Sequence, residues 1–489
     1  MSRFRFGHGE PSVSRMGLVL CSLMTVLLTS CVTASNHPFA SAPSVPRAQA
    51  PPPAATHDVR WLVLSDLHFD PFAEAPAVVA RLATAPVATW PRILALQGGR
   101  KISGYGHDSN GALIESALGE MRRDVPDPPV VFVAGDFLAH GFRARFLAST
   151  GDRNEDAYRA FVLKTMDYLA LVLHQAYPRA QILPVIGNND GFCEDYHSTP
   201  GDAFLAHEAL TWGPLVDVNG RAPAFVKTFA AGGYYQARLP LRALRVVVPN
   251  SIFWSARYQN RCGDAAQSPG SDELTWLSAV LKHGPPGSRT WVATHIPPGV
   301  DTFKTLVHFG APSLLWDADT QRTFLALVDD PHAGVRTILT GHLHAFWLRQ
   351  SDAGRSDDIP ILIAPSISPI FGNAPAFLDI TVSARNAQID DVQAYALGHL
   401  LSVDGAPPAW YRAFDFNSAF GVHGVTAPSL AALHAREPTT RWLRGSIARY
   451  AVLGGISRVV TRLNWRSSWC AEIALTRDAF IDCYAHDGR

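Results

Sequence analysis

Seven side chains in this sequence fall into five short blocks and have the chemistry to hold metal ions. They are Asp66 and His68 in Ser-Asp-Leu-His, Asp136 after Gly135, Asn188 in Gly-Asn-Asn-Asp, His295 in His-Ile-Pro-Pro, and His342 and His344 in Gly-His-Leu-His. Carboxylates, an amide and imidazoles are the hard oxygen and borderline nitrogen donors of a two-metal site. Ions held roughly 3.5 to 4 Å apart can acidify a shared water and clamp a phosphate. Taken singly, an Asp-x-His or a Gly-Asp is most often just a turn; five such blocks in order, each ending a strand-like run, carry more weight.

The runs that must position them are apolar and β-prone: 61–64, 128–133, 182–186, 291–294 and 335–340. Each predicts a strand that releases its ligands at the carboxyl end, where α/β sheets bind ligands, and Gly135 permits a sharp turn before Asp136. Between them lie helix-like stretches: 155–176, with Phe161, Met166, Leu169 and Leu173 at helical spacing, and 272–282. This alternation predicts a layered α/β fold. Further strands are predicted at 360–364, 377–382 and 387–393. From 396 onward the pattern reads as helical, with helices at 428–437, 440–453 and 476–483.

The ordered blocks resemble the calcineurin-like metallophosphoesterases, whose pattern is D-x-H, G-D, G-N-x-[DE], a lone His and G-H-x-H. The resemblance covers 58–395. It narrows to the acid-sphingomyelinase-like phosphodiesterases through Gly104-Tyr-Gly-His-Asp-Ser109, Asn250-Ser-Ile-Phe-Trp254, His295-Ile-Pro-Pro-Gly299, Pro365-Ser-Ile-Ser-Pro369 and the tail around Cys470 and Cys483. It implies a four-layer α/β sandwich, two mixed β-sheets flanked by helices, followed by a helical C-terminal appendage at 396–489. By the family pattern one metal is bound by Asp66, His68, Asp136 and His344, and the other by Asp136, Asn188, His295 and His342, with Asp136 bridging. Zinc is the expected metal, with manganese or iron as alternatives. Ala139 stands where purple acid phosphatases carry an iron-binding Tyr, so a tyrosinate-iron site is not expected.

The implied reaction is hydrolysis of a phosphodiester, or a related phosphoester, by a metal-bridging hydroxide. Two departures matter. Asn189 stands where the family has the His that commonly protonates the leaving group, and it can only donate a hydrogen bond. His107 interrupts the family's Gly-Cys-Asp; with Asp108 it is placed by the resemblance at the substrate. His140 matches a second family His that helps protonate the leaving group, or else it steadies the bridging aspartate. A phosphate leaving group gains little from an acid, so Asn189 also points toward an endopolyphosphatase-like activity on phosphoanhydrides. A non-catalytic binding protein on the same fold is the remaining alternative.

Lys plus Arg and Asp plus Glu each number 42, and this neutral balance gives no electrostatic case for nucleic-acid binding. Residues 1–30 read as an export signal: Arg3, Arg5 and Arg15 precede an apolar core too short to span a bilayer. Leu28-Thr29-Ser30-Cys31 resembles a bacterial lipobox, which makes Cys31 the lipidated first residue and the sole membrane attachment, in the periplasm or at the cell surface. The Ala/Pro-rich stretch 31–57 then reads as a tether ahead of the catalytic domain. Outside the leader, Cys193, Cys262, Cys470 and Cys483 allow three disulfide pairings. Cys193 with Cys262 and Cys470 with Cys483 is the expected one, and the lack of C-x-x-C spacing argues against a zinc finger.

Overall fold

The computed structural model describes residues 57–96, 101–217, 223–260, 269–307, 312–351, 358–401, 407–457, 460–461 and 464–486. The expected leader, Cys31, most of the tether and Cys262 lie outside the described residues. Twelve strands form two six-stranded mixed sheets. They are β1 (Val59–Leu64), β2 (Val130–Val133), β3 (Gln181–Pro184), β4 (Tyr235–Arg238), β5 (Leu244–Val248), β6 (Arg289–Ala293), β7 (Val335–Thr340), β8 (Trp347–Gln350), β9 (Pro360–Ile363), β10 (Ala376–Val382), β11 (Ile389–Gly398) and β12 (Ala409–Asp415).

In the first sheet, ordered β12-β11-β10-β1-β2-β3, β1, β2 and β3 run parallel, with β3 at the edge, and β10 joins β1 antiparallel. In the second, ordered β4-β5-β6-β7-β9-β8, β5, β6, β7 and β9 are parallel and the edges antiparallel. The parallel strands read as continuous apolar runs because both of their faces are covered; β2 and β3 are buried throughout. The sheets meet through aromatic side chains. Trp61 of β1 lies edge-on to Trp291 of β6 at 5.1 Å, and Phe132 of β2 stacks on Trp291 at 5.9 Å.

The helix Glu155–Ala176 falls where the apolar spacing predicts it; Asn154 accepts from Asp156 N and Ala157 N as its cap. The helical region begins later than expected. β11 runs to Gly398 and β12 extends the first sheet, so 396–398 and 409–415 are strand. β12 is an edge strand, only one of its residues fully buried, and it pairs antiparallel with β11; Arg412 interrupts its aromatic residues, so it does not read as a continuous apolar run. Helices follow at Phe416–Phe420, Ala427–Arg436, Arg441–Ala451, Trp465–Ile473 and Arg477–His486; the second, third and fifth lie close to the three predicted, and the other two were not predicted. Cys470 is bonded to Cys483 as expected. The C-terminal region docks through buried polar contacts: Trp347 Nε1 of β8 donates to Glu472 Oε1 at 2.7 Å, and Gln321 Nε2 of the helix Ala318–Val328 donates to Leu475 O at 2.9 Å. No helix among the described residues is long and apolar enough to cross a membrane.

Candidate metal centre

Five turns at the carboxyl ends of β1, β2, β3, β6 and β7 converge where the two sheets face each other. The turns after β1 and β2 continue as a short ladder, with Asp66 N donating to Gly135 O and His68 N to Asp136 O, each at 2.9 Å. Five of the seven expected ligands sit in left-handed backbone: Asp66, His68, Asp136, His342 and His344 have φ between 40° and 71°. Such residues are uncommon and strained, and they cluster where a site needs a side chain aimed against local preference. Two glycines make room. A Cβ on Gly135 (φ 95°) would lie 2.5 Å from His295 Nδ1, and one on Gly187 would fall on the backbone nitrogen of Asp136.

The structure brings all seven side chains together. Asp66, His68 and His344 form one cluster, and Asp136, His295 and His342 a second, with the ligand atoms of each within 4.8 Å of one another. Asn188 joins the second, its Oδ1 3.2 Å from His295 Nε2. One oxygen belongs to both: Asp136 Oδ2 is 3.3 Å from His68 Nε2 and 3.3 Å from His295 Nε2. Surrounding groups set the imidazoles so that Nε2 faces inward. His68 Nδ1 is 2.9 Å from Leu138 O, and His295 Nδ1 is 2.7 Å from Ala134 O. Asp66 Oδ1, fully buried, has no hydrogen-bond partner among the described residues. A buried carboxylate oxygen facing two imidazoles is poorly satisfied by protein alone, so the residues fit divalent cations.

Electrostatics agree. Burial would raise the Asp66 carboxyl, but His344 and His295 outweigh it and hold it at about 2. Burial, reinforced by His140, lowers His68 to about 4; burial, reinforced by His295, lowers His342 to about 3, leaving both imidazoles neutral as ligands must be. His295 goes the other way: Asp136 overcomes its burial and raises it to about 9. A cation at that position would take the place of the proton.

Asn189 does not face the cleft as a free donor. Its backbone N–H donates to Asp136 Oδ1 at 2.8 Å and its side-chain amide to Asp136 Oδ2 at 2.9 Å, so it braces the shared carboxylate. His140 stacks on His68 with ring centres 4.1 Å apart. Asp108, expected at the substrate, is buried behind His140, accepting from His140 N at 2.9 Å and lying 3.1 Å from its Nδ1, while Ser368 Oγ donates to it at 3.1 Å. Burial opposes protonation of His140, but the hydrogen bond and charge of Asp108 prevail and raise it. His107 is exposed and does not line the cleft.

A cleft of about 430 Å³ opens over the cluster. Its walls include Glu194, Asp195, Tyr196, Arg257 and Phe371, none of which the ligand pattern identifies. Tyr196 and Arg257 lie far apart in sequence and in no recurring motif. Phe371 follows the Pro365–Pro369 motif closely enough to have been suspected. Cys193, just before this wall, is disulfide-bonded.

Comparison with known proteins agrees with this geometry. The sequence is 25% identical over 341 residues to sphingomyelinase phosphodiesterase D of Dictyostelium discoideum, covering 68% of this chain and 71% of that protein. It is 23% identical over 389 residues to acid sphingomyelinase-like phosphodiesterase 3b of Mus musculus, covering 76% and 78%. It is also 25% identical over 200 residues to an endopolyphosphatase of Schizosaccharomyces pombe, covering 40% and 33%. The profile of the calcineurin-like phosphoesterases matches residues 59–346, which contain all seven ligands, and the chain belongs to that family.

Proposed function

We propose that the protein is an exported hydrolase of phosphodiester bonds that works with two divalent metal ions, zinc first among them. The observation that carries this reading is the Asp136 carboxylate oxygen shared at 3.3 Å between His68 and His295, one imidazole from each ligand cluster. Asp66, His68, Asp136 and His344 would hold one ion, and Asp136, Asn188, His295 and His342 the other. Bound there, the ions supply Lewis acidity, acidifying water and neutralising charge on the phosphoryl oxygens. The chain itself supplies the proton. His140, whose pKa Asp108 raises and which is partly exposed at the cleft, would protonate the departing oxygen. Asn189 holds Asp136 in place.

The charge of the cleft favours a diester over polyphosphate. Apart from the ligand Asp136, its described walls carry the carboxylates Glu194 and Asp195 against the single guanidinium of Arg257. A long polyanion needs a run of cations. The protonated His140 also has a use only where the leaving group is a poor one. We further read Cys31 as a lipid anchor; the disulfide Cys470–Cys483 fits an oxidising compartment, in keeping with export.

The deciding experiment compares metal-loaded wild type and His140→Ala on an alkyl phosphodiester, an aryl phosphodiester and polyphosphate. Wild type should prefer the diesters, and the substitution should slow the alkyl ester by about 10²–10⁴-fold while sparing the aryl ester. A preference for polyphosphate, with equal loss on all three substrates, would move the reading to a phosphoanhydride hydrolase.

A further inference from the structure

One wall of the cleft is built from two segments distant in sequence, and metal ligation alone does not explain its outer residues. Glu194, Asp195 and Tyr196 are consecutive non-glycine residues in left-handed backbone, with φ of 56°, 22° and 64°. Such residues are strained and persist only where their surroundings dictate them. Here they do: Cys193 is disulfide-bonded, Glu194 accepts from Arg143 N, Tyr196 N donates to Asn188 O at 2.9 Å, and Gln259 N donates to Tyr196 O at 3.0 Å.

This backbone sends the Tyr196 side chain inward, where its hydroxyl lies 3.2 Å from His342 Nε2. Arg257 covers the ring from outside, its Cζ 4.1 Å from the ring centre. Its guanidinium lies 3.6 Å from Asp195 Oδ2, both groups being about half exposed, so this pair is weak. Among the described residues the guanidinium donates no side-chain hydrogen bond, leaving a planar fork of donors at the cleft beside a ligand of the second cluster. Once His342 Nε2 is given to a metal it can no longer accept from Tyr196, and that hydroxyl is released toward whatever oxygen the metal holds.

We infer that Tyr196 and Arg257 form an anion clamp at the cleft: Tyr196 donates to a phosphoryl oxygen, and Arg257 pairs with a second negative charge, such as the one on the phosphomonoester that diester cleavage leaves behind. This rests on the hydrolase reading for its substrate but not for its ligand, which is an oxyanion of phosphorus. Orthophosphate and p-nitrophenyl phosphate present that second charge, and bis(p-nitrophenyl) phosphate presents a neutral ester in its place.

The test measures orthophosphate binding to the metal-loaded protein by calorimetry, together with kcat and KM on the two aryl substrates. Arg257→Ala should weaken orthophosphate binding and raise KM for p-nitrophenyl phosphate by about tenfold, the scale of one charge-assisted contact, with less than about threefold change on the diester. Arg257→Lys should recover part of the loss, since charge remains while the fork does not. Tyr196→Phe should weaken orthophosphate severalfold with metal content unchanged. Unaltered orthophosphate binding in Arg257→Ala would overturn the clamp, as would equal losses on both substrates accompanied by loss of metal. If wild type hydrolysed neither substrate, the hydrolase reading would fail, and the binding comparison would still decide the clamp.

Discussion

Asp136 matters because one of its oxygens faces two imidazoles while Asn189 holds both oxygens from the other side. Asp136→Asn keeps the volume but removes the charge that both clusters share. Turnover is expected to fall by about 10²–10³-fold or more, with bound metal lost by elemental analysis and circular dichroism unchanged. The partner of His140 gives a pH prediction. His140 acts as an acid only when protonated, and Asp108 raises it above its ordinary value, so activity on alkyl esters should decline as pH rises through that raised value. Asp108→Asn removes the charge but leaves a hydrogen-bonding group. The decline should then move to lower pH, costing about tenfold near neutrality, short of the 10²–10⁴-fold for removing the acid. A pH–rate profile unmoved by this change would exclude the pairing. At this scale the sequence was highly legible for the ligands, whose types and spacing are themselves the chemistry. It was poorly legible for Asp108: a carboxylate bonded to a partner 32 residues away reads from sequence like one that faces substrate.

The elements that carry the ligands were legible because parallel buried strands are written as continuous apolar runs; β7 falls at 335–340 as predicted. β12 and the helix Ala203–Val216 were missed, the first for want of an apolar run and the second because apolar residues surround it and blur its period. The C-terminal helices meet the second sheet through buried polar groups as well as apolar ones. Glu472, on Trp465–Ile473, accepts from Trp347 and lies against His434, with Glu437 nearby. Burial pushes Glu472 up to about 8 and Glu437 to about 10. A carboxyl that is raised on folding binds a proton the unfolded chain has released, so stability falls as pH rises from about 4.5 to about 8. Glu472→Gln removes this dependence while keeping a hydrogen-bond acceptor for Trp347. Its melting temperature should exceed that of wild type at pH 8 by at least about 2 °C, with the difference gone near pH 4.5. A constant offset across that range would show that Glu472 does not titrate.

For the molecule as a whole, the seven ligands divide between the two sheets: Asp66, His68, Asp136 and Asn188 leave the first, and His295, His342 and His344 the second. Metal therefore fastens one sheet to the other, and a ligand that binds only the folded state raises its stability by about 2.7 kcal/mol at a hundredfold excess over Kd. Chelation should lower the melting temperature and zinc restore it, with the response absent in Asp136→Asn. An unchanged melting temperature would mean that the sheets hold the site together unaided. The division has another side. Back from the ligands, within the strands that carry them, the two sheets pack through the aromatic layer of Trp61, Phe132 and Trp291, whose rings are 5.1 to 6.1 Å apart. The site is a caliper with one jaw on each sheet, and these three rings are its spacer. Metal preference and catalytic span can accordingly be retuned by core residues that touch neither ion nor substrate.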